Sequence, residues 1–366
     1  MSVVLICFEK SANSAVSQLI SNNFFQNPAE LSQVKKMQLS MGNAFIRPSL
    51  KFTGITSLGY GKVKSQVNDS LPYLLTAYRP TNKVVIGLHI TPSSYGHIDW
   101  RPHNSIVSQS STTTILLYYR IGTQASYQIS EKLALGMGFN VAYNKHCELD
   151  AIVPQFGNQI NKISGLNHTF DAGLFFQFNP RNHLTVGVYT GVDRLGQGTS
   201  SLGMIKTHNL ELLITEASVA YIGLQHSLSD KWFFEEKIYW SDWSIVKNVY
   251  FINKTNGTSI VPANWRDTWS YQVNTRFAIS EKIALFGSII YETNAAPIST
   301  NAIGYPLSAL GSISGGLGFA LSKSLSAQMT YSYGAFLPDA KINHDRNLGH
   351  ISADFQTIAL QLTYKI

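Results

Sequence analysis

Few residues in this chain stand together in a way that could make or break a bond. The ten histidines are scattered. His146, Asp150, His168 and Asp171 gather loosely around residues 147–164, a spacing that suits solvated loop residues better than a metal or catalytic site. No Gly-x-Ser-x-Gly nucleophile elbow surrounds the serines of "SYG" or "SDK". Cys7 and Cys147 form no Cys-x-x-Cys pair, so no metal and no cofactor is expected, and a disulfide between them is open but unforced. What the chain does offer is cations among aromatics. Alternation puts Arg120, Lys237, Arg266 and Arg276 on one face of their segments and Tyr119, Trp240, Trp269 and Tyr271 on the other. Glu235 shares the face of Lys237, while Glu236 falls on the opposite one. A carboxylate ligand would want such an Arg or Lys. The same cations could equally pair with carboxylates of the chain and bind nothing. This is the chemistry of a binding path, not of an enzyme.

The segments that must position these residues alternate. In "LALGMGFNVAYN", Leu133, Leu135, Met137, Phe139, Val141 and Tyr143 take every second place, with Ala134, Gly136, Gly138, Asn140, Ala142 and Asn144 between them. That is the period of a strand with one apolar face. The other face is small and uncharged, which leaves room for whatever lies on that side. A near-copy of this stretch, "ISEKIALFGSIIYETN", begins at Ile279. Each copy reads as a Ser-Glu-Lys turn feeding a strand rather than as a duplicated module. The alternation persists to the last residues, Ile358, Leu360, Leu362, Tyr364 and Ile366.

Composition agrees. Only 13% of the 366 residues are charged, where about 25% is usual for a soluble globule. Twelve per cent are aromatic, and no apolar run approaches the ~18 residues of a membrane helix. Few charges, many aromatics and no spanning helix suit a transmembrane β-barrel, whose apolar residues are spread over alternate positions. The net charge of +7 comes from scattered residues, so nucleic acid is not an expected partner.

Alternation predicts fourteen strands over 37–53, 70–79, 82–92, 110–129, 131–146, 165–179, 182–194, 205–227, 231–246, 266–279, 282–293, 308–321, 324–340 and 352–366. Turns near 130, 180, 229, 280 and 322 are short, whereas 147–164, 246–265, 294–307 and 340–351 read as long loops. That asymmetry places the serine turns in the periplasm and the long loops outside. Tyr143, Tyr291, Tyr331 and Tyr333 toward one end, with Trp232 toward the other, read as aromatic girdles. Residues 1–36 do not alternate. The start, "MSVVLICFEK", lacks the flanks of an export signal, which leaves three readings: the signal lies upstream, Val3–Phe8 is its remnant, or the chain is not an exported barrel; the first two are favoured.

Several stretches carry a family resemblance. "FFQNPAEL" (Phe24–Leu31), "IRPSLKFTG" (Ile46–Gly54), "ITPSSYGHIDW" (Ile90–Trp100), "IYWSDWS" (Ile238–Ser244) and "NWRDTW" (Asn264–Trp269) occur in this order. With the fourteen-strand pattern they resemble the FadL/TodX family of outer-membrane transporters for long-chain fatty acids and other hydrophobic compounds. The resemblance implies an all-β, fourteen-stranded antiparallel transmembrane barrel over 37–366, with an N-terminal hatch over 1–36 plugging the lumen. It implies a bacterial outer-membrane location, a monomer, hydrophobic small molecules as cargo, and lipopolysaccharide among the surrounding lipids. Asn27, Pro28 and Ala29 match the hatch motif, and Phe24 and Phe25 would line the ligand track beside the four cations. The third strand would kink inward at Pro92 and Gly96 and open a gap in the wall; proline removes a ladder donor and glycine permits a bend. Two features depart from the family: "GYPLSAL" (Gly304–Leu310) carries no charge, and the chain ends in Ile366 rather than Phe. A general porin, or a structural barrel without an apolar ligand, is the alternative reading.

Overall fold

The computed structural model describes residues 27–191, 193–253 and 257–366. Among them the chain forms twenty strands and three short 3-10 helices. In chain order the strands are β1 (Met37–Thr56), β2 (Gly59–Gln66), β3 (Asp69–Tyr78), β4 (Val84–Arg101) and β5 (Thr113–Gln128). Next come β6 (Leu133–Val153), β7 (Gly157–Asn179), β8 (Asn182–Tyr189), β9 (Asp193–Leu202) and β10 (Ile205–Thr215). Then follow β11 (Val219–Ser227), β12 (Trp232–Ser241), β13 (Asn248–Asn253), β14 (Gly257–Pro262) and β15 (Thr268–Ala278). The last are β16 (Ile283–Glu292), β17 (Leu310–Ala320), β18 (Leu325–Phe336), β19 (Ala340–His344) and β20 (Asn347–Lys365).

Fourteen of these close a barrel. The antiparallel ladder runs β1, β3, β4, β5, β6, β7, β8, β11, β12, β15, β16, β17, β18 and β20. β20 then pairs with β1 from Gln38–Lys365 to Ile55–Leu348. Closure gives every barrel strand a partner on each side over at least part of its length, as backbone groups facing hydrocarbon require. The other six strands extend the wall at the long-loop end: β2 on β1, β9 on β7, β10 on β9, β13 on β10, β14 on β13 and β19 on β20. Each of the fourteen expected strands overlaps one barrel strand, but the expected long loops are largely not loops. Residues 147–164 are the continuation of β6 and β7 into a tall hairpin, 246–265 hold β13 and β14, and 340–351 hold β19 and the start of β20. The expected strand 205–227 is two, β10 in the outer extension and β11 in the barrel, broken at 216–218.

The serine turns repeat one device. The Oγ of Ser229 accepts from the backbone N–H of Trp232 at 3.1 Å, Ser280 from Ile283 at 3.2 Å, and Ser322 from Leu325 at 3.0 Å. Ser130 accepts from Lys132 at 3.3 Å. A hydroxyl that bonds the backbone two or three residues on replaces ladder bonds where a strand reverses. The near-copies at Ile129 and Ile279 are therefore one turn solution used at several periplasmic corners. Beyond the turns, Leu135, Met137, Phe139 and Tyr143 are exposed on the outer face, Met137 to 71%. Tyr291, Tyr331, Tyr333 and Trp232 are exposed as well, as lipid-facing and girdle positions should be.

Candidate functional site

The lumen is built from the inward half of each strand, and its polarity changes with height. Along β1 the buried inward positions are Gln38 and Ser40 at the periplasmic end, then Ala44 and Ile46, then Leu50 and Phe52 toward the outside. The outer end of the lumen is one apolar cluster. Leu50, Phe52, Ile98, Trp100, Leu116, Leu149, Leu212 and Phe355 from the walls meet Trp243, Trp265, Ile303 and Tyr305 from the loops. Trp243 and Trp265 pack edge to face, centroids 5.2 Å apart. Asn301 fastens the loop from within, donating to Leu307 O (2.7 Å) and accepting from Leu307 N (2.9 Å). At the other end, below the short helix described next, a polar cavity of about 540 Å³ is lined by Glu30, Gln33, Gln38, Gln225, Arg276 and Lys365 among others.

A 3-10 helix, Pro28–Gln33, sits between these two ends, with Pro28, Ala29, Glu30 and Leu31 all buried. Asn27 caps it, its Oδ1 accepting from Ala29 N at 2.9 Å. Its Nδ2 reaches the wall at Leu174 O (3.1 Å), Val186 O (3.1 Å) and Thr185 Oγ1 (2.6 Å). Thr185 Oγ1 in turn donates to Glu30 Oε1 at 2.6 Å, and Ser126 Oγ donates to Ala29 O at 3.1 Å. Gly136 and Gly173 make the approach possible. A Cβ on Gly136 would clash with the Pro28–Ala29 backbone, and one on Gly173 with the Asn27 amide. At the base, the guanidinium of Arg79 holds Val34 O at 2.7 Å and also Ser32 O.

The wall itself changes beside this helix. β3 pairs with β4 only from Tyr78–Ile86 to Leu74–Ile90. Beyond that, β4 shifts register on β5 between Pro92 and Ser94, the mark of a bulge. The bulge inverts the inward and outward phase of β4, so Ile98 and Trp100 join the lumen cluster. Tyr95, on the face that pointed to lipid before the bulge, is buried beside inward residues of β3, Leu71 and Tyr73. β4 thus runs inside β3 here. Over Asp69–Tyr73, side chains replace the ladder: Asp69 Oδ2 accepts from Tyr95 Oη at 2.5 Å and meets His97 Nδ1 at 2.8 Å.

The sequence matches, over residues 11–365, the model of a family described as "Outer membrane protein transport protein (OMPP1/FadL/TodX)". The chain belongs to this family. It is an outer-membrane β-barrel transporter of hydrophobic compounds, and FadL/TodX proteins are transport channels rather than enzymes. Solved structures share its fold at low identity. A Pseudomonas aeruginosa FadL homologue superposes with a TM-score of 0.84 at 13% identity, over 100% of both chains. The P. putida toluene transporter TodX gives 0.72 at 14%, over 93% of this chain and 92% of that one. The CymD monoaromatic hydrocarbon channel gives 0.68 at 17%, over 100% and 95%. Among proteins with curated descriptions, none matches.

In this FadL/TodX barrel the expected site residues separate. Arg120 is inward on β5, opposite Thr91 of β4 just below the bulge, with its guanidinium 5.7 Å from the Tyr189 ring. Lys237 is inward but 3% exposed and held by Glu235 at 2.9 Å. Glu235 is further satisfied by Gln225 and Asn274, each at 2.7 Å, so this pair is a closed network, not an open anion site. Arg276 lines the polar periplasmic cavity. Arg266 is not on an inward strand face. It precedes β15 in an exposed outer loop, where its N–H donates to Ala295 O at 2.9 Å, and period-two counting does not hold outside a strand. Gly96 pairs regularly with Leu116, and the irregularity falls at Pro92–Ser94. Phe24, Phe25 and Cys7 lie outside the described residues, and Cys147 is buried. Gly173, Thr185, Ser126 and Tyr95 went unnoticed in the sequence; for Gly173 the one signal was a glycine on a small inward face.

Proposed function

We propose that this barrel takes hydrophobic compounds, long-chain fatty acids first among them, from the extracellular side and releases them sideways into the membrane between β3 and β4. The observation that carries this is the polarity change along the lumen, with the wall discontinuity lying between its two ends. A hydrocarbon chain is stabilised by apolar burial of roughly 0.8 kcal/mol per CH₂, and the outer cluster around Phe52, Trp100 and Trp265 offers it. The periplasmic end, lined by Gln38, Gln225 and Lys365, does not. An apolar molecule that reaches mid-lumen gains most by leaving toward lipid. There β3 lacks its backbone partner. A polar solute meets the opposite order and gains nothing on entry, which disfavours a general porin.

In this reading residues 1–36 act as the hatch, with Asn27, Pro28 and Ala29 as its docking point. Pro92 marks the inward bend, and Gly96 lies on the bent segment. Arg120 receives the carboxylate, while Lys237 serves the network that seats the hatch. Phe24 and Phe25 stand on the hatch side of the track. The barrel is complete within one chain and works as a monomer in this reading, with lipopolysaccharide around it on the outer side. Saturable binding of labelled oleate to the purified protein tests the cargo class; absence of saturation sinks it. A charged hydrogen bond is worth about 1.5–3 kcal/mol. Arg120→Ala should therefore weaken oleate about ten- to a hundredfold and leave neutral toluene unaffected. Equal losses for both ligands would reduce Arg120 to a structural part of the wall.

A further inference from the structure

Four neighbouring strands carry a face of positive charge just above the lipid-facing band. The outward positions of β1 are Met37, Leu39, Met41, Asn43 and Phe45, followed by Arg47, Ser49, Lys51 and Thr53. At ~3.4 Å per residue and a tilt of ~40°, the ten steps from Met37 to Arg47 climb roughly 26 Å, about the height of a barrel's apolar band. β20 changes character at the same level. Leu362, Leu360 and Ile358 are exposed and apolar, and the next outward residue, Gln356, lies opposite Arg47.

Above that level the registers set cations side by side. Lys51 of β1 lies directly opposite Lys64 of β2, and Lys64 in turn opposite Arg101 of β4. Thr53 is flanked by Lys62 on β2 and His350 on β20, and His350 by Lys341 on β19. Arg101 has a carboxylate partner, Asp99 at 2.7 Å. The sequences of β1, β2, β19 and β20 contain one carboxylate, Asp354, opposite Ser49. Among the described residues, Arg47, Lys51, Lys62, Lys64 and Lys341 enter no ion pair. The outer hairpin of β6 and β7 is arranged differently: there Glu148 holds both Lys162 (3.1 Å) and His146 (2.9 Å).

Like charges directly opposite on a strand pair destabilise it. The described residues supply no counter-ion to Lys51 and Lys64, so a ligand must, or the cost stands. The side chains point away from the lumen, at the height where acyl chains give way to headgroups. We propose that the outward face of β19, β20, β1 and β2 is a binding site for the phosphate groups of an outer-leaflet glycolipid. The lysines meet phosphate oxygens as point charges, and Arg47, whose Nε and Nη2 donate to the Gln66 carboxamide oxygen on β2, adds its charge from the lower edge of the patch. Arg47 and Lys51 are ~13 Å apart along the strand, a span that favours a headgroup bearing more than one phosphate over a single small anion.

The test is native mass spectrometry of the full-length folded barrel in detergent. Three probes are offered: a bis-phosphorylated acyl-glucosamine disaccharide, its dephosphorylated counterpart, and inorganic phosphate. The bis-phosphorylated glycolipid should bind at least tenfold tighter than the dephosphorylated one. K51E/K64E should lower its affinity tenfold or more while the barrel keeps the heat-modifiable gel mobility of the folded state. Equal binding of the two glycolipids overturns the proposal, and so does undiminished binding by folded K51E/K64E. If that variant does not fold, K51A/K64A decides, and unchanged affinity there overturns it. Inorganic phosphate that displaces the glycolipid at matching concentration would make the patch a small-anion site and overturn the lipid assignment.

Discussion

Tyr95 donates to Asp69 at 2.5 Å across a stretch of wall where no backbone ladder joins β3 to β4. His97 meets the same carboxylate oxygen at 2.8 Å. Side-chain bonds can break one at a time, whereas a ladder opens as a unit. Losing a hydrogen bond to a charged group costs about 1.5–3 kcal/mol. Tyr95→Phe should therefore raise the fraction of barrels with a parted wall by about ten- to a hundredfold. In liposomes this predicts faster delivery of labelled oleate to the bilayer by Tyr95→Phe and by Asp69→Asn. Slower delivery by both variants would mean that the latch shapes the exit instead of closing it.

The short helix Pro28–Gln33, the docking point of the proposed hatch, depends on two absent side chains. Gly136→Val and Gly173→Leu would place atoms where the Pro28–Ala29 backbone and the Asn27 amide now lie. Either variant should displace the helix and raise single-channel conductance in planar bilayers several-fold. Gly315, whose added Cβ would meet nothing within 4 Å, provides the control: Gly315→Ala should conduct like the parent. Deletion of residues 1–33 should conduct at least as well as the glycine variants, and unaltered conductance there would argue against a plug.

Glu236 sits on the lipid face, between Leu224 of β11 and Val273 of β15, both exposed apolar residues. A charge on that face costs up to ~2–4 kcal/mol for Arg or Lys at the midplane and less for Asp or Glu. Glu236→Leu should raise barrel stability by about 1–2 kcal/mol, measured by urea unfolding in lipid vesicles. No gain, or a loss, would show that the carboxylate has a partner in the bilayer.

Asp150 lies in the outer part of β6, beyond the membrane band. Burial, reinforced by the charge of neighbouring Glu148, pushes its carboxyl up to about 7. A raised carboxyl pKa favours the protonated folded form. The contribution of Asp150 to hairpin stability is thus fully present below the ordinary carboxylate value of 3.8 and is lost as pH rises from there through about 7. Amide exchange at Gly157–Ile163, compared between the parent and Asp150→Asn, should differ little at pH 4 and show a more protected variant at pH 8. Identical protection at both values would refute the shift.

The fourteen barrel strands were legible because a lipid-facing strand writes its environment in every second residue. The outer extensions were not, because the code inverts there. On β1 the apolar residues face out at Met41 and Phe45 and face in at Leu50 and Phe52. A strand that leaves the bilayer to enclose an apolar chamber exchanges its two faces, and residues 147–164 read as a loop for that reason. Arg266 was misplaced because counting by twos ran on past the end of a strand. The pairing of Lys237 with Glu235 was visible as two opposite charges two residues apart. The seats of the Pro28–Gln33 helix were not, since the pattern records which face a glycine occupies but not what lies against it.

The ladder between β1 and β20 also orders events in time. Met37 and Ile366 exchange backbone hydrogen bonds at 3.3 and 3.0 Å, so the seam joins stretches more than three hundred residues apart. Pairing at such separation is slow, because loop closure must come before any contact rewards it. The cylinder cannot shut until its last strand has crossed the inner membrane. Every hydrophobic edge made earlier is meanwhile a hazard to be shielded in transit. The seam is the natural place for assembly machinery to hold the sheet open and, by letting go, to finish the protein.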